Sequence, residues 1–266
     1  MTLLYGHCKH QRKNDYDKIQ HGEMTLDDLH NTEESEWILN EYSKIHKKIN
    51  NTSVYSRENH TKEELYIIDC FVLYSRLMET CTQIDKIPVY LSRFDKKYFS
   101  NNEIGQTDFI QYHLEVYIGK LFAIAEIMLS LTNEIYKFEL KPKQRNFQNI
   151  MKLLDDSKVS KKILVSLFDN LKNWRLIRND TVHRNIFNKD EKFERLSMQE
   201  SLWMHSERIE YDLEIDWVFV KPRHFVDYFL KQERKTKVQF IQKNNLGLFK
   251  YIDYYLKSII NELRDK

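Results

Sequence analysis

The sequence predicts an all-α fold, an up-and-down helical bundle with additional helices, and three observations carry that reading. Gly (5) and Pro (3) are scarce among 266 residues, and these residues punctuate turn-rich β architectures and phosphate-cradling loops. Apolar residues recur at a period near 3.6 along most of the chain. Helix-start signals stand where the periodic runs begin. A charged fraction of 31% beside a hydrophobic fraction of 41% suits long amphipathic helices around a sizeable core and excludes general disorder.

Residues 1–30 show no sustained period and read as a loosely ordered lead-in. Residues 31–266 read as one helical domain. Asn31 and Glu34 form a capping box ahead of the stripe Trp37, Ile38, Tyr42, Ile45 and Ile49, and polar residues 50–53 end that helix. Thr61 and Glu64 repeat the box. The next helix runs through Leu65, Ile68, Phe71, Val72 and Met78 to about Asp85, with Pro88 beyond its end, and residues 87–107 read as short turns and loop. A spine helix follows from Asp108 to Phe138, closed by Lys141-Pro142. A shorter helix covers Arg145 to Leu154. A long one spans Val159 to Phe187, with Leu164, Leu167, Phe168, Leu171, Trp174 and Ile177 on one side. Asn188 to Arg195 reads as a charged loop. Glu214 to Val220 alternates strand-forming residues, which predicts a short extended segment near 214–220 ended by Pro222. Two final helices, Arg223–Lys243 and Leu248–Arg264, are expected to meet at the stop signal Asn244-Asn245-Leu246-Gly247.

Composition also bounds function. The sequence has no run of about 18 apolar residues, so no membrane association is expected. Residues 1–17 carry no apolar signal core, and the three scattered cysteines, Cys8, Cys70 and Cys81, fit a reducing compartment, so a cytoplasmic location is expected. The Walker, dinucleotide and nucleophile-elbow motifs do not occur. His7, Cys8 and His10 fall short of the two spaced pairs that a zinc site needs. No metal and no cofactor is predicted.

Charge distribution narrows the search. Between Lys158 and Lys189 eight bases face only two carboxylates, Asp169 and Asp180. That imbalance fits a localised anion site, and it equally fits a solvated helix face whose acids lie elsewhere. Lys231, Arg234, Lys235, Lys237 and Lys243, opposed by Glu233, form a second basic stretch with the same two readings: an RNA track or a solvated face.

Within the first stretch, Arg178, Asn179 and His183 hold the residue types that metal-independent RNA cleavage needs. Imidazole titrates near neutral pH and can take or give a proton. Guanidinium stays charged and can clamp a phosphate, offsetting charge that builds in the transition state. RNA supplies its own nucleophile, the 2′-hydroxyl. Lys172, Arg175 and Arg184 would contribute RNA-backbone contacts. The competing reading is a polar cluster satisfied within the fold.

The run Ile177-Arg178-Asn179-x-x-x-His183, following a long helix such as Phe109–Phe138, resembles the HEPN superfamily (higher eukaryotes and prokaryotes nucleotide-binding). That resemblance centres on residues 108–187. It implies a helical bundle, frequent dimerisation and, in many members, metal-independent endoribonuclease activity. Arg178 would be the catalytic arginine, Asn179 the polar position and His183 the catalytic histidine. Many members are toxins, antiviral defence effectors or RNA-processing factors, so an antitoxin or regulatory protein joins RNA as an expected partner. Other members are catalytically inactive modules that bind RNA, a nucleotide or a protein.

Residues five apart on an unbroken helix differ by about 140°. Arg178 and His183 therefore meet only if the helix deforms near Asp180 or if a second copy completes the site. The second route predicts a homodimer. Trp174 reads as a core residue or as a base-stacking surface at the rim.

Overall fold

The computed structural model describes residues 23–48, 57–101, 103–184, 191–206 and 221–264. The side chains of Asn173 and of residues 175–184 lie outside that description. Among the described residues the fold is all-α, with nine α-helices: α1 Leu26–His30, α2 Glu33–Lys48, α3 Lys62–Ser92, α4 Lys96–Asn101, α5 Gln106–Ile135, α6 Phe147–Leu153, α7 Val159–Arg184, α8 Glu191–Ser206 and α9 Arg223–Arg264. The lead-in up to residue 22 and the extended segment expected near 214–220 lie outside the described residues.

Helix starts follow their caps. Glu64 N–H donates to Thr61 Oγ1 at 3.2 Å, and Thr61 N–H donates to the Glu64 carboxylate at 3.1 Å, closing the expected box at the head of α3. At α2 the cap falls one residue later than expected. Ser35 N–H donates to Thr32 Oγ1 at 3.3 Å, because Asn31 already ends α1. That first short helix carries its own box, between Thr25 and Asp28.

Several helix ends depart from the sequence reading. Pro88 lies inside α3, which continues to Ser92. The ring costs about 3 kcal/mol in a helix interior. Ile84, Ile87 and Leu91 are all buried around it, and burial of each such side chain contributes about 1.5–3 kcal/mol, so packing wins. The spine α5 stops at Ile135 rather than Phe138. Lys137 adopts φ 55°, Phe138 N–H donates to Asn133 O and Lys137 N–H to Glu134 O, a Schellman stop that closes the helix ahead of Lys141-Pro142. Residues 191–195, expected as loop, begin α8. The stop signal at 244–247 is overridden too, since α9 is one 42-residue helix. Asn245, Leu248, Phe249 and Ile252 are buried, which outweighs the ~1 kcal/mol penalty of a helical glycine.

The chain divides into two compact units. The first holds residues 1–82, 123–172 and 245–266. Its core joins Leu29, Ile38, Leu77, Met128, Leu131, Leu164, Phe249 and Ile259. The fully buried Tyr255 donates its hydroxyl to Met128 O and meets the Thr132 hydroxyl at 2.8 Å, so its polar tip is satisfied in an apolar setting. The second unit holds residues 83–122 and 173–244. Its core includes Leu91, Ile110, Tyr117, Phe193, Leu196, Val226 and Leu230.

Candidate functional site

Helix α7 carries the Arg178–His183 segment. Its backbone stays α-helical from Val159 to Arg184, so the helix does not deform at Asp180. The two positions therefore remain about 140° apart around the axis. The side chains of Arg178, Asn179, His183, Arg175 and Arg184 lie outside the described residues. One turn earlier Trp174 is partly buried. It packs edge-on to Tyr117 of α5, with centroids 6.1 Å apart, and against Phe240 of α9 at 5.8 Å. Of the two readings of Trp174, this arrangement is that of a packing residue. Tyr117 is fully buried, and burial holds its hydroxyl protonated far above neutral pH. Lys172 is exposed and pairs with Asp169 at 2.6 Å within its own helix. An exposed pair of that kind contributes little and leaves the ammonium open to exchange its carboxylate for a phosphate.

The second basic stretch divides by face. Arg234 lies 5.5 Å from the Phe94 ring, and burial lowers its pKa. Lys237 is buried, and so is Glu233, which accepts from Lys192 at 2.5 Å. Lys231 and Lys235 face solvent.

Sequence reasoning missed Glu200. Its carboxylate accepts from Gln106 N–H at 2.6 Å, Thr107 N–H at 2.8 Å and the Thr107 hydroxyl at 2.6 Å. These donors open α5, and Gly105 before them has no side chain with which to cap the helix. Asp108 returns a bond to Gly105 N–H at 3.1 Å, so a carboxylate from α8 completes the cap that the local sequence lacks. Burial pushes the Glu200 carboxyl above the ordinary range, against the pull of its three donors. Phe94, Lys96, Ile104, Trp203, Arg223 and Asp227 join it around a small pocket. The available signal was a carboxylate interrupting the stripe Phe193, Leu196, Trp203.

The all-α fold and the arginine–histidine helix define a HEPN-type helical module. The family model described as HEPN_Cthe2314, -like HEPN, matches residues 72–217, just over half of the chain, and the chain belongs to that family. No curated protein and no solved structure matches it. Among the described residues, no helix is long and apolar enough to cross a membrane.

Proposed function

We propose that this HEPN protein is a metal-independent endoribonuclease that works as a homodimer. The observation that carries the reading is an unbroken α7 bearing Arg178-Asn179-x-x-x-His183 in a chain of this family. Arg178 holds the scissile phosphate, and Asn179 supplies the adjacent polar contact. His183 exchanges the proton as the 2′-hydroxyl attacks phosphorus and the P–O5′ bond breaks, leaving a 2′,3′-cyclic phosphate and a 5′-hydroxyl. Lys172, Arg175 and Arg184 draw the RNA backbone towards the same helix. A role as toxin or antiviral defence effector, restrained by an antitoxin or regulatory protein, belongs to this reading.

The test joins rate and stability on the same variants. Wild-type protein should cleave RNA in EDTA and spare DNA of the same sequence, which lacks the internal nucleophile. His183→Ala and Arg178→Ala should each slow cleavage about 100-fold or more, with Tm nearly unchanged. A well-folded His183→Ala protein that cleaves at the full rate would sink the catalytic assignment. A wild-type protein that binds RNA without cutting it would instead define an inactive HEPN module.

A further inference from the structure

Helix α9 sorts its charges by face. Its two acids before residue 244 are both paired: the partly exposed Asp227, beside the arc that holds Lys231, accepts from Lys96 at 2.5 Å, and the buried Glu233 accepts from Lys192 at 2.5 Å. The exposed arc beside Asp227 carries bases and no acid of its own. At about 100° per residue, His224, Tyr228, Lys231, Lys235 and Gln239 fall within an arc of about 80°, and all five are exposed. Tyr228 is 56% exposed and Phe225, about 40° beyond the arc, 49%. No carboxylate among the described residues pairs with Lys231 or Lys235. The Lys96–Asp227 pair also ties α4 to the N-terminal end of this face, and α4 carries Tyr98 at 61% exposure.

Exposed aromatics normally cost solubility, and unpaired lysines repel one another along one face. Together they make a surface whose complement is a flexible polyanion with flat apolar faces. Single-stranded RNA is that ligand: bases stack on tyrosine and phenylalanine, and phosphates meet the ammonium groups one and two turns further on. A double helix offers the phosphates but keeps its bases stacked away from the rings. An acidic polypeptide offers the charge without the planar faces.

We infer that the outward face of α9, from Phe225 and Tyr228 to Lys231 and Lys235, is a binding track for single-stranded RNA. It shares its ligand class with the proposed function, and it requires no cleavage. Binding to the track is therefore measured on the full-length His183→Ala protein, with a fluorescent 12-nucleotide uridine strand as probe and anisotropy as readout.

Tyr228→Ala should weaken binding about tenfold, while Tyr228→Phe, which keeps the ring, should bind as the parent does. Lys231→Ala and Lys235→Ala should each lower the slope of log K against log salt by about 0.7, the value for releasing one counterion from a single strand. All three positions are solvent-exposed, and melting temperatures should stay within a degree or two of the parent. The inference is overturned if Tyr228→Ala and the double lysine variant keep parental affinity and slope. It is equally overturned if a uridine–adenosine duplex of the same length binds as tightly as the single strand, or if polyglutamate displaces the probe at matched charge. Binding by the track without cleavage by wild-type protein would refute the ribonuclease reading alone. Cleavage with unaltered binding in the track variants would refute the track alone.

Discussion

His113 shows how one half-buried ring couples this protein to pH. Its Nδ1 lies 3.0 Å from Phe109 O, so the ring carries its proton there as donor, and it packs 4.3 Å from the Phe109 ring beside Phe94 and Phe99. Burial lowers its pKa below 6.5, and the carbonyl contact offsets only part of that. The unfolded chain therefore takes up a proton near pH 6.5 that the folded chain resists. Stability is complete above that pH and declines as the pH falls from 6.5 towards the depressed folded value. Glu200 acts in the opposite sense: its raised pKa makes the folded chain the better proton acceptor just above 4.5. Urea midpoints at pH 7.5 and 5.5 should show the loss in wild type and a smaller loss in His113→Phe. Equal losses in the two proteins would remove His113 as the cause.

At the scale of the element, the helices α2, α3, α5, α6, α7 and the run of α9 were legible in the sequence, whereas α1, α4 and α8 were not, and helix termini were legible only where a cap is local. Thr61 and Glu64 sit three residues apart and bond each other, so the start of α3 can be read directly. The start of α5 cannot, because Glu200 caps it from 94 residues away. Pro88 and Gly247 read as stops because propensity is a local property of the chain, whereas the burial of Leu91 and Phe249 that overrules them comes from packing. The two glycines test this account in opposite directions. A Cβ at Gly247 would meet nothing within 4 Å, so Gly247→Ala should stabilise by about 1 kcal/mol through helix propensity. A Cβ at Gly105 would come within 2.8 Å of a Glu200 oxygen held by two donors. Gly105→Ala should destabilise by about 1–3 kcal/mol as the cap is pushed aside. Chemical denaturation of both variants measures the pair, and a stabilising Gly105→Ala would show that the Glu200 cap carries no weight.

At the scale of the whole molecule, the Arg178–His183 spacing was legible, and its consequence required the backbone. With α7 unbroken to Arg184, Arg178 and His183 occupy positions about 140° apart around one helix axis, which sets them on different sides of the helix. A two-fold axis resolves this if each site takes its arginine from one protomer and its histidine from the other. Light scattering at micromolar concentration should then report a dimer. Complementation gives the sharper measurement, because Arg178→Ala and His183→Ala proteins each lack one half of every site. Mixed and allowed to exchange subunits, half of the dimers are heterodimers, and each of these retains one intact site of two. Activity should recover to about a quarter of wild type. A site built within a single protomer predicts no recovery, because every arginine–histidine pair in the mixture is broken. Absence of recovery despite demonstrated subunit exchange, or a monomer that cleaves RNA, would refute the shared site.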